Sequence, residues 1–135
     1  MGDPVALKAM VDDLAARSAA STAEVAARYP VDLRRTVPVR FVEDIDDPGP
    51  QPGDMMPMSA DVNGVPWGYG FRCPGCGAES ILRLRPAPDA PAWTVTAGDP
   101  RTGVGLSLAP SIHHTTALGG CGWHGFLTNG VLVPC

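Results

Sequence analysis

Apolar and polar positions follow two rhythms along this chain, and the change falls near residue 30. Before it, Leu7, Met10, Val11 and Leu14 recur at i, i+3, i+4 and i+7, which draws one apolar stripe along a helix. Asp3 is a suitable N-cap, and Pro4 fits the first helical position, where a missing N–H costs nothing. Ser21-Thr22-Ala23-Glu24 has the form of a capping box. The pattern therefore predicts two helices, over 4–18 and 22–29, in place of one rod. Tyr29-Pro30 ends the second, because the residue before proline avoids the helical region.

From Val37 onward the period is two. Val37, Val39 and Phe41 alternate with Pro38 and Arg40, and the proline puts this strand at its start or on an edge. Further short strands are expected over 55–58, 67–72, 80–85, 93–96 and 104–108, with turns at 86–91 and 98–100 between them. The acidic run Glu43–Asp47 lacks calcium-loop spacing and reads as a solvated loop. At the end, 123–128 and 131–133 flank Asn129-Gly130, the preferred pair for a type I′ hairpin turn. With that pair as the turn, Thr128 faces Val131 and His124 faces Cys135. The expected fold is α+β: a small, mainly antiparallel β domain over 31–135, pinned by one zinc site. Two helices form an N-terminal appendage over 1–30.

Composition narrows this picture. The chain has 135 residues, enough for one modest core. Gly (16) and Pro (15) stand at nearly twice their usual combined share of ~12%, which excludes a mostly helical protein. The net charge is −4 and the basic residues are dispersed, so no nucleic-acid footprint is expected. No apolar run is long enough for a membrane span. Met1-Gly2-Asp3-Pro4 is acidic with no apolar segment behind it, so no export signal is expected and the setting is taken as cytoplasmic.

The cysteines and histidines cluster. In Cys73-Pro74-Gly75-Cys76-Gly77 the two-residue gap lets both sulfurs enter one pocket, with glycines permitting the tight backbone of a metal knuckle. Cys121-Gly122-Trp123-His124 has the same layout with histidine in second place. Two such knuckles supply the four ligands of a closed tetrahedral zinc site: Cys73, Cys76, Cys121 and His124. Cys135, opposite His124 in the hairpin, is the alternative fourth ligand and would leave the imidazole free. A disulfide or a redox Cys-x-x-C fits less well, since strands and turns flank the motif where a thioredoxin-like βαβ unit would be needed. A second constellation is Ser111-Ile112-His113-His114, placed on a loop after Pro110. Ser111 is either a turn residue or a nucleophile with a nearby histidine as its base.

Residues 38–135 resemble the phage and bacterial domain-of-unknown-function family 6527. The motifs that carry the likeness are Phe71-Arg72-Cys73-Pro74, Trp93, Leu106-Ser107-Leu108-Ala109-Pro110-Ser111-Ile112, Cys121-x-x-His124 and the terminal Asn129-Gly130 hairpin. The first knuckle departs from the family's usual Cys-Pro-Cys-Gly-Cys. The resemblance implies a phage-encoded accessory or interaction protein with structural zinc, in the host cytoplasm or associated with the virion. Residues 1–30 lie outside the resemblance; their apolar stripe of Leu7, Met10, Val11 and Leu14 needs a partner surface, so the helices are expected to bind a protein partner or a second copy. The alternative the resemblance implies is a peptidase acting near a ubiquitin-like C-terminus, with Ser111 and His124 as catalytic groups.

Overall fold

The structure, a computed structural model, describes residues 4–46, 49–85 and 91–135. The Asp3 cap, Asp47, Pro48, most of the turn expected at 86–91, and the side chains of Leu7 and Met10 lie outside the described residues. A single α-helix is present among the described residues, α1 (Pro4–Arg28). The expectation of two helices is thereby corrected. The reason lies at Ser21, which is buried and does not cap. Its hydroxyl proton is shared between the Ser18 carbonyl, 3.0 Å away, and Asp46 Oδ1 at 2.6 Å, while its oxygen accepts from Arg72 at 2.6 Å. A serine that bonds back to its own helix and out to the β domain leaves the helix free to run on.

Ten strands follow. The first five are β1 (Val37–Pro38), β2 (Arg40–Phe41), β3 (Asp54–Pro57), β4 (Gly68–Arg72) and β5 (Glu79–Arg83). The others are β6 (Thr94–Ala97), β7 (Ser107–Ala109), β8 (Ile112–His113), β9 (His124–Thr128) and β10 (Val131–Pro134). They form three sheets where one was expected: β1-β10-β9-β8, β2-β3-β4-β5 and the pair β6-β7. All pairings between these strands are antiparallel except β2 with β3. The single strand expected over 37–41 is split, and its halves serve different sheets. Val37 pairs with Leu132, whereas Phe41 pairs with Met55.

The core lies where these sheets meet. Met55, Tyr69, Phe71 and Leu82 pack with Leu106, Leu108, Ile112, Trp123, Leu127 and Leu132. Each fully buried side chain of this kind contributes ~1.5–3 kcal/mol. Along β9 the alternation is strict: Gly125 and Leu127 turn inward, His124, Phe126 and Thr128 outward. The closing hairpin has the expected register, Thr128 opposite Val131, with Asn129 (φ 49°) and Gly130 (φ 76°) both left-handed as a type I′ turn requires.

Arg72 joins the helix to the β domain. Its guanidinium is fully buried and donates to the carbonyls of Ile45 and Gly77 and to Ser21, Asp46 and Glu79. Val25 of α1 is completely buried and fills the space that a side chain at Gly77 would need. Beyond the helix, the chain wraps the first cysteine knuckle. The Asp32 amide donates to the Gly75 carbonyl at 2.9 Å, and Arg35 donates to the carbonyls of Pro74 and Gly75.

Candidate active site and metal cluster

Ser111 follows β7 and directly precedes β8, a strand that the sequence pattern had read as loop. Its Oγ lies 2.8 Å from His124 Nε2, and the pair is exposed to solvent. The register of β8 on β9 makes this contact, since His113 pairs with His124 and Ile112 with Gly125. The imidazoles of His113 and His124 stack with centroids 4.5 Å apart. The Ser111 backbone is anchored too, because the Trp93 indole N–H donates to its carbonyl at 3.3 Å. A serine hydroxyl within hydrogen-bond reach of an imidazole, with the backbone of one and the ring of the other held in place, is the arrangement of an activated nucleophile.

A second group of side chains lies on the other side of the same ladder. Cys73, Cys76, Cys121 and His114 offer ligand atoms that all fall within 4.8 Å of one another, and they could hold a metal ion. Cys73 Sγ is 3.6 Å from Cys121 Sγ, and His114 Nδ1 is 3.6 Å from Cys76 Sγ and 3.7 Å from Cys121 Sγ. All four cysteines of the chain are free. Gly75 is required here, since a Cβ on it would come within 2.7 Å of Cys121 Sγ and 2.8 Å of Trp123 Cβ. Burial pushes the Cys73 and Cys76 thiols up, and it lowers His114, with the neighbouring His113 adding to the effect. A divalent cation at the centre would reverse the thiol trend, because thiolates are its ligand form.

Three of the residues expected at the metal site are thus brought together, and His124 is not with them. Trp123 is buried with its amide aimed at Cys121 Sγ, so the period-two alternation of β9 turns His124 to the opposite, outward face. His114 takes the remaining corner, where its carbonyl accepts from the Gly122 amide at 2.8 Å. Cys135 is exposed and away from the cluster, with its amide donating to the His124 carbonyl at 3.0 Å. Sequence reasoning missed His114 because it had no knuckle spacing. Its placement follows from β8, which ends at His113 and sends the next side chain to the opposite face, and that two-residue strand left no signal in the sequence.

No helix among the described residues is long and apolar enough to cross a membrane. A family model described as "Bacterial ubiquitination-like system serine protease (BubE)" matches residues 41–135. No curated protein and no solved structure matches the chain. The resemblance to domain-of-unknown-function family 6527 is corrected by the family match, and the expectation of phage encoding finds no support in it.

Proposed function

The chain belongs to the BubE family of serine proteases of bacterial ubiquitination-like systems, and on that premise we propose that it is a peptidase with Ser111 as nucleophile and His124 as general base. The 2.8 Å contact between Ser111 Oγ and His124 Nε2 carries this reading. It replaces the accessory-module reading with the peptidase alternative.

The chemistry follows from the geometry. Nε2 must be unprotonated to accept the Ser111 proton, which places the ring proton of neutral His124 on Nδ1. As Oγ bonds to the substrate's acyl carbon, its proton passes to Nε2. The tetrahedral adduct then collapses, the acyl C–N bond breaks, and the leaving amine takes that proton from His124. Water repeats the sequence on the acyl-serine, with its proton passing through His124 back to Ser111 Oγ as the carboxylic acid is released. Stacking on His113 keeps the imidazole in line, and the Trp93 bond keeps Ser111 from receding. The substrate fitting the family's setting is a ubiquitin-like protein, cut at or near its C-terminus.

Cys73, Cys76, Cys121 and His114 fit a zinc ion. Tetrahedral coordination with Zn–S of ~2.3 Å and Zn–N of ~2.0 Å separates the ligand atoms by roughly 3.5–3.8 Å; three of the six separations here are 3.6–3.7 Å, and all six are within 4.8 Å. Four protein ligands leave no open position, so zinc would act as a structural clamp behind the strand that carries His113.

A fluorophosphonate probe tests the central assignment. It should label the folded wild-type protein at Ser111, and Ser111→Ala should abolish both labelling and cleavage of a C-terminally extended ubiquitin-like protein. A folded protein that resists labelling, or that cleaves equally well as Ser111→Ala, would overturn it.

A further inference from the structure

A cavity of about 140 Å³ lies against β8, the strand that follows Ser111, although neither Ser111 nor His124 lines it. Phe71, Leu82 and Ile112 line it and are buried, Ile81, 48% exposed, also lines it, and Cys73 and His114 of the metal cluster form part of its wall. Two more of its lining residues touch the pair itself. Trp93 is bonded to the Ser111 carbonyl, and His113 is stacked on His124. Among the described residues no carboxylate, lysine or arginine lines this space.

We infer that this cavity is the substrate-selecting pocket, and that it takes a medium-sized apolar group from the acyl side of the bond that is cut. The inference rests on the peptidase reading above and adds the class of residue selected. Size sets the upper limit, since an apolar protein cavity of ~150 Å³ accommodates benzene. An isobutyl or phenyl group fits, and an indole overfills the space. Chemistry sets the exclusion, because a charged group entering here would lose its water and meet no carboxylate, lysine or arginine in exchange. The acyl side is assigned because that part of the substrate stays bonded to Ser111 through both half-reactions. Ile112 follows Ser111 directly in the chain, and Trp93 is fixed to its carbonyl, so the pocket's position is tied to the nucleophile.

Simple p-nitrophenyl esters test this without knowledge of the natural substrate. Each rate is normalised to the hydroxide rate of the same ester. From acetate through butyrate to 4-methylpentanoate, kcat/KM should rise about fourfold per added methylene, the ratio corresponding to ~0.8 kcal/mol per buried CH₂. The succinate monoester should do no better than acetate. Ile81→Trp places a bulky ring at a half-exposed lining position, where folding tolerates it. It should abolish the chain-length gain, so that butyrate and 4-methylpentanoate are turned over no better than acetate. Leu82→Ala should move the optimum to longer acyl chains. A flat series with hydrolysis that still depends on Ser111 overturns the pocket and spares the peptidase. A chain-length gain that survives Ile81→Trp also overturns the pocket. Loss of Ser111-dependent hydrolysis of every ester by folded protein overturns both.

Discussion

His113 and His114 are neighbours in the chain and serve different sites. The first stacks on His124 beside Ser111, and the second points its Nδ1 at the sulfurs of Cys76 and Cys121. One peptide unit therefore links the Cys/His cluster to the proposed catalytic pair.

That coupling predicts how metal loss behaves. Purified protein should carry about one zinc per chain, and His114→Ala should lose it and melt at least ~10 °C lower, in keeping with the large folding contribution of structural zinc. Ester hydrolysis should fall along with it, although His114 is not a member of the Ser111–His124 pair. Strong chelator should reproduce both effects. Metal analysis and thermal melts check this, and a metal-free protein with unchanged melting and activity would contradict it.

The complementary substitution is His124→Ala. It should keep the metal and the fold, because His124 lies on the outward face of β9. It should lower kcat by about 10²–10⁴-fold, the usual contribution of a general base. Cys135→Ala should change neither metal content nor rate. Ester kinetics and metal content measured on the same preparations separate these cases.

Arg72 offers a test of how the helix is held. Arg72→Ala removes a buried cation from between Asp46 and Glu79 and leaves both carboxyl groups short of partners. Breaking a buried ion pair from one side costs ~3–5 kcal/mol. Urea unfolding should show a loss of that order, with α1 losing protection from hydrogen exchange before the sheets do.

The same carboxyl pair predicts a pH profile. The hydrogen bond from Glu79 holds Asp46 below its ordinary value, with Ser21 and Arg72 helping. Burial, then Asp46, pushes Glu79 up. Asp46 thus contributes stability in full above its unfolded value of ~3.9, and this is lost as pH falls through its lower folded value. Glu79 contributes through its protonated form, fully below ~4.3, and this is lost as pH rises through its raised folded value. Both contributions are complete only near pH ~4, and stability from this pair should peak there. Glu79→Gln should flatten the alkaline side, and urea midpoints from pH 3 to 8 would show whether it does.

How much of this could be read in the sequence depended on how local the determining chemistry was. The Asn129-Gly130 hairpin and its register were legible because two left-handed residues between alternating strands leave few options. The three clustered cysteines were legible because the knuckle spacing is itself the geometry. The single helix was not, since Ser21 looks like a cap until the partners of Arg72, distant in sequence, are known. The fourth member of the cluster was missed for a related reason. Spacing from Cys121 favoured His124, but strand alternation, with Trp123 turned into the core, decides which face a histidine occupies. Strand β8 was unreadable because it is two residues long and exists only through its pairing with β9.

The pairing of Val37 with Leu132 also bears on the order in which the protein assembles. The sheet holding Ser111 and His124 closes only when residues from opposite ends of the β region meet, and contacts so far apart in sequence form slowly. An ion that gathers Cys73 and Cys76 with His114 and Cys121 early would shorten the loops still to be closed, so refolding should be faster with metal than without. His124 lies beyond the last of these four residues, in the β9–β10 hairpin. A chain still emerging from the ribosome therefore carries Ser111, the proposed nucleophile, before His124, the proposed base.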